Sequence, residues 1–255
     1  MFTGFVGYIR YLGTLTLFAT QSIAWLFVRP YRFPQFIDEM EFIGNQSLSI
    51  ISLTGLFTGA VLAYQSWIAF DIVGTDSLVG VSTSLALARE LGPVMTAIVV
   101  TGRAGAAMTA KIGLMRVSEQ IDALEVMAIS PKQYLIAPKI VAAAIATPFL
   151  AGIFTLVGNV GGYLVGVFLC GVDPGVYIHN LKSFLAPWDI YHGLIKSIIF
   201  GFVIATICCY KGYTTKNGAE GVGKSTNESV VLGIVFTLVM DYFLSVIIPT
   251  GMRSQ

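Results

Sequence analysis

The chain is short of charge. Of its 255 residues 11% are Asp, Glu, Lys or Arg, 55% are apolar, and the mean hydropathy is +0.79. Soluble domains carry roughly 25% charged residues. No stretch is polar enough to build a soluble domain, so the chain reads as an integral membrane protein. A net charge of +1 carries no argument for a nucleic-acid partner. Cysteine and histidine are scarce too: Cys170, Cys208, Cys209, His179 and His192. None stands at metal-ligand spacing, and no disulfide framework can be drawn. The adjacent Cys208 and Cys209 lie inside an apolar run and read as small core hydrophobes. Both histidines read as ordinary polar residues on the external side. No nucleophile, base and orienter fall together, which leaves an enzyme without a site.

What is present is a series of long apolar runs. Phe42 to Phe70, Leu85 to Gly113, Tyr134 to Cys170, Ile190 to Tyr210 and Ser229 to Ile248 each reach the roughly 20 residues needed to cross a bilayer. Backbone groups in lipid must be satisfied within the segment, so these runs predict five transmembrane helices and an all-α membrane fold. Gly55 and Gly59 stand in a GxxxG spacing that lets helices approach closely. Ala97, Thr101, Gly105, Thr109 and Gly113 form a second small-residue stripe, suited to another helix or another copy. Gly92-Pro93 predicts a kink or a widened turn. The 171–189 loop has the composition to dip back as a short helix. Residues 1–33 fit an interfacial helix: Tyr11 to Val28 is apolar, but Arg10 precedes it and Arg29 and Arg32 lie beyond it. Residues 34–255 then form the membrane domain. Basic residues collect in the N-terminal segment, in the 111–139 connection and in the 211–227 loop. That excess predicts a cytoplasmic N-terminus and an external C-terminus.

The stretch Ser84 to Ile129 concentrates the unusual features. Its apolar part carries Arg89, Glu90 and Arg103, and charge inside a span is expensive and usually functional. Arg89 and Glu90 read either as an interfacial pair or as a polar patch in a cavity. Arg103 reads as snorkelling toward the cytoplasm or answering a buried acid. Asp241, deep in the last span, is expected to face the bundle. Residues 116–129 predict a short helix with Ser118 as N-cap. Val117, Ile121, Leu124 and Ala128 share one face, and Glu119, Asp122 and Glu125 lie on a neighbouring one. Membrane-surface helices favour a basic polar face, so this acidic one suits a soluble partner. Gly218 to Ser225 matches G-x-x-x-x-G-K-[ST], but a phosphate loop needs a preceding buried strand. Flanked by membrane spans, the motif reads as a glycine-rich turn capping the fifth span.

The run beginning at Ala88, ARELGPVMTAIVVTGRAGAAMTAKIGLMRVSEQIDALEVMAISPKQYLIAPK, closely resembles the signature of the MlaE-type permease family. These are membrane subunits of ABC transporters that work with MCE proteins on lipids. The later run GAEGVGKSTNESVVLGIVFTLVMDYFL is similar to the family's C-terminal part, with GKST departing from the more usual Arg-Ala-Thr. The resemblance implies a homodimer in the bacterial inner membrane with two cytoplasmic ATPase subunits that carry the ATP and magnesium. It also implies a periplasmic MCE ring, and a STAS-domain partner is common in such systems. This chain would bind no cofactor of its own. By the same resemblance residues 116–129 are the coupling helix, with Arg116, Glu119, Asp122 and Glu125 facing the ATPase. A phospholipid cavity would be lined by Tyr64, Gln65, Arg89, Glu90, Leu91, Val94 and Met95. Two readings compete. An ion-coupled secondary transporter would use Glu90 or Asp241 as a proton site, although no inverted repeat is visible. A membrane NTPase would use Lys224.

Overall fold

The computed structural model describes residues 13–14, 16–21 and 33–248. Five helices are long and apolar enough to cross a membrane: α1 (Phe33–Asp71), α2 (Asp76–Val117), α4 (Lys132–Leu169), α6 (Pro187–Tyr213) and α7 (Gly218–Ile247). Two short helices join them, α3 (Gln120–Val126) and α5 (Pro174–Phe184). The five runs read from the sequence are all present, each longer than its apolar core. At 42 residues α2 measures about 60 Å. A hydrocarbon layer is about 30 Å thick, so the ends of α2 stand outside it. The interfacial helix expected over residues 1–33 lies mostly outside the described residues. Its described part is helical, and Phe18 is buried with its ring edge-on to Tyr210 at 5.4 Å.

Small residues set the packing. A Cβ on Gly59 would come within 1.8 Å of the Gly158 carbonyl oxygen, so α1 and α4 touch backbone to backbone at the GxxxG site. The second stripe meets helices of the same chain, not another copy. The Thr109 hydroxyl donates to the Cys208 carbonyl on α6 and bonds Ser229 on α7. The Thr101 methyl group lies against Gly233 of α7. Cys208 and Cys209 are fully buried, as expected of core hydrophobes. α6 forms the centre of the bundle. α7 lies at its edge, with only 11% of its apolar window buried against 61% for α6.

Proline explains two irregular turns. Pro93 has no N–H for the Arg89 carbonyl, and its ring would clash there in a regular helix. The chain widens instead into a π-turn over Leu87–Leu91, with the Gly92 N–H reaching the Leu87 carbonyl. Pro138 comes just after a similar turn over Lys132–Ile136. The expectation of a widened turn at Gly92-Pro93 therefore holds. A third π-turn, Thr101–Gly105, carries Arg103 without any proline.

Three local expectations are corrected. The 211–227 segment is mostly helix, because α7 already begins at Gly218, after a left-handed Asn217 at φ +67°. The phosphate-loop look-alike is thus the first two turns of a helix, neither a loop nor a capping turn, and its Gly221 N–H is already spent on the Asn217 carbonyl. Ser118 does not cap α3. Its hydroxyl donates 2.8 Å to the Leu114 carbonyl and closes α2 instead. The segment expected as one helix over 116–129 is divided accordingly: 116–117 complete α2, and α3 lies between left-handed residues Glu119 and Ala128. The expected dip in the 171–189 loop is α5, capped by the Asp173 carboxylate on the Val176 N–H at 2.9 Å.

Candidate functional site

One cation organises the interior. Lys196 on α6 is fully buried, and its Nζ lies 2.5 Å from Glu90 Oε2, 3.0 Å from Asp241 Oδ1 and 2.7 Å from Ser245 Oγ. α2, α6 and α7 each contribute, so the cluster ties three spans together. Ser245 also donates to Glu90 Oε2 at 3.1 Å. Two carboxylates face one ammonium, which leaves the group one negative charge when all are ionised. Glu90 closes it on the open side, with 44% of its side chain exposed. A charged group this deep is tolerable only because it is paired and hydrogen-bonded. Asp241 faces the bundle as expected.

Arg89 takes a separate partner. Its Nε and Nη2 donate to Asp189 Oδ1 at 2.7 and 2.5 Å. The other Asp189 oxygen accepts the Ala186 N–H at 2.9 Å, so one carboxylate starts α6 and holds Arg89. Arg89 and Glu90 are therefore bound to different residues of α6, near its first turns. His192 lies between Asp189 and Lys196 in sequence and is buried, 1% exposed. That burial corrects the reading of it as an ordinary polar residue. His179 is exposed.

The other residues expected to line the same cavity are divided among three surroundings. Tyr64 and Gln65 lie on α1, where Tyr64 is exposed and stacks on Trp67 at 6.2 Å. Leu91 and Met95 pack partly buried on the main core, which contains Leu87, Leu150 and Phe154. Val94 packs with Ala97, Phe200 and Ile204 on the α6 side. Arg103 finds no acid among the described residues. It donates to the Phe42 carbonyl, to Gln46 Oε1 and to Ser47 Oγ, and its guanidinium lies 4.7 Å over the Phe42 ring. Those acceptors surround the bend at Gly44, so Arg103 fastens α2 to α1 where that helix breaks.

At the other end, Ile121 buries α3 in the core, while Val126 is 89% exposed. Arg116 pairs with Asp122, and the Tyr213 hydroxyl donates to Glu125 Oε1 at 3.1 Å. Glu119 is exposed at the turn. The acidic stripe is thus partly engaged within the chain, and the apolar Val126 and Met127 protrude beside it. Of the expected apolar face, only Ile121 is fully buried, and Ala128 is exposed. Among the described residues no group of three His, Cys, Asp or Glu could hold a metal.

Lys196, Asp189 and Ser245 stand outside the set expected from the sequence. Lys196 carries a usable signal, a lysine nine residues into an apolar helix. Asp189 and Ser245 carry none, because an aspartate at a span start and a serine within a span are both commonplace.

This architecture can be set beside known proteins. The family model for Permease MlaE matches residues 36–247. The chain belongs to the MlaE permease family. The match takes in the α3 turn, the Lys196 cluster and all five spans except the first three residues of α1. A Rickettsia bellii protein named "Probable ABC transporter permease protein" is 38% identical over 92% of this chain and 90% of its own length. The Haemophilus influenzae protein named "Intermembrane phospholipid transport system permease protein MlaE" is 38% identical over 84% of this chain and 83% of its own. Within this MlaE-family chain, polar chemistry lies inside the membrane domain and an exposed apolar knob at one end.

Proposed function

We propose that the chain is the membrane subunit of an ABC transporter that carries glycerophospholipid between the inner membrane and a periplasmic MCE ring. ATP is hydrolysed on two separate cytoplasmic subunits, and a STAS-domain protein accompanies them. The family match over residues 36–247 carries this reading, together with the name of the Haemophilus influenzae relative. In this arrangement the N-terminus and α3 are cytoplasmic and the C-terminus periplasmic. The exposed knob of Val126 and Met127 with Glu119 docks on the ATPase. Because α3 is anchored by Ile121 and continues almost directly from α2, a push on it reaches the Glu90 end of the same helix. Tyr64 on α1 and Tyr242 on α7 are exposed, so a lipid cavity lined by them and by Gln65 is completed by a second copy of the chain. Lys196 holds both Glu90 and Asp241, which speaks against either carboxylate working alone as a proton carrier.

The test uses two substitutions that spare the intramolecular contacts, Glu119→Lys and Val126→Glu. Expected are loss of ATPase co-purification and of fluorescent-phospholipid transfer to the MCE protein in proteoliposomes, with an unchanged thermal midpoint. Retained ATPase binding and transfer in both variants would overturn the docking assignment.

A further inference from the structure

A second polar pocket, remote from the Lys196 cluster, lies at the end of the bundle where α3 sits. It has a volume of about 290 Å³ and is lined by Gln35, Asp38 and Glu39 of α1, Lys111 and Met115 of α2, and Tyr134, Leu135, Pro138 and Lys139 of α4. Its charges are laid out in two classes. Lys139 is buried and paired with Glu39, which neutralises both. Lys111 and Asp38 have no ion-pair partner among the described residues, and both are exposed. Among the described residues the pocket therefore offers one free cation and one free anion, and its four charged side chains sum to zero. In addition, Gln35 Oε1 is buried without a hydrogen-bond donor. A buried acceptor left unsatisfied costs about 1–3 kcal/mol, so an N–H or O–H donor that reaches it is favoured. Met115, Leu135 and Pro138 supply an apolar wall. Phe33 and Ile37, on the same helix as Gln35, are 69% and 60% exposed and turn an apolar face outward. A polar pocket edged by such a face has the composition that suits a lipid headgroup.

We infer that this pocket binds the headgroup of a zwitterionic phospholipid bearing a primary ammonium, the phosphatidylethanolamine class. The phosphate meets Lys111, and the ammonium donates to Asp38 and to the Gln35 carbonyl oxygen. The glycerol and first methylenes lie on Met115 and Leu135. Net neutrality of the four charges disfavours an anionic headgroup such as phosphatidylglycerol. The Gln35 acceptor disfavours phosphatidylcholine, whose quaternary nitrogen has no N–H to give. The bound headgroup touches Lys111 and Met115 in the last turns of α2, close to where the chain turns into α3.

The test is native mass spectrometry of the full-length chain released from mild detergent and titrated with phosphatidylethanolamine, phosphatidylcholine or phosphatidylglycerol of identical acyl chains. Expected is one lipid per chain retained about fivefold better for the ethanolamine form than for either other. Asp38→Ala and Lys111→Ala should each abolish that preference, and Asp38→Glu, which keeps the carboxylate, should retain it, each at an unchanged thermal midpoint. Lipids held elsewhere on the chain are insensitive to these three variants and cancel in the comparison. Inorganic phosphate at millimolar concentration should displace little of the lipid. Equal retention of all three lipids, or a preference that survives both alanine variants, would overturn the assignment. Displacement by phosphate alone would replace it with a simple anion site.

Discussion

Replacing Lys196 by Met removes the one cation from a cluster that holds two carboxylates. The methionine fills nearly the same volume, so the change is electrostatic. Glu90 Oε2 and Asp241 Oδ1 lose an ammonium at 2.5 and 3.0 Å, and Ser245 loses its partner at 2.7 Å. Breaking a buried ion pair by removing one member costs about 3–5 kcal/mol. Glu90 is 44% exposed and can recover water, whereas Asp241 is only 20% exposed. The low end applies, about 3 kcal/mol. For a chain of this size that corresponds to a fall of about 6–12 °C in the thermal midpoint. The measurement is thermal unfolding of the purified chain in mild detergent, monitored by intrinsic tryptophan fluorescence. A triple variant, Lys196→Met with Glu90→Gln and Asp241→Asn, removes the stranded charge and should regain most of the loss. A midpoint within about 2 °C of the parent for Lys196→Met alone would refute the reasoning. So would a triple variant no more stable than the single one, because the cost would then be one of packing.

Two more outcomes rest on the helix contacts. Gly59→Leu puts a side chain where even a Cβ lies 1.8 Å from the Gly158 oxygen. α1 and α4 must separate, at a cost of about 3 kcal/mol or more, and protease nicking in the 71–76 loop should accelerate while the exposed Gly223→Ala leaves it unchanged. Lys224→Ala alters an exposed residue within helix α7, and ATP turnover by the assembled transporter should stay within about twofold of the parent. A loss beyond about tenfold would revive the phosphate-loop reading.

Composition and run length suffice for the membrane class, the number of spans and the all-helical fold. The reason is that lipid offers the backbone no partner, so an apolar run of bilayer length has one available structure. Small residues are equally legible. Gly55 and Gly59 mark a close contact because nothing else fits it, although only the packed bundle decides that the contact is with α4. Charges are easily located in the sequence, but their partners are not. Arg89 and Glu90 are adjacent in sequence and reach Asp189 and Lys196, about 100 residues away. Arg103 reaches a carbonyl in place of an acid. Helical-wheel reasoning also assumes about 100° per residue throughout. The π-turns at Leu87–Leu91 and Thr101–Gly105 each insert a residue and rotate the helix beyond them, so faces drawn across them do not hold. Sequence alone therefore determined which segments enter the membrane, since that depends on each segment's own transfer into lipid. Tertiary structure decided which buried charge meets which, since that depends on the rotation and depth of helices relative to one another, and no single helix carries that information.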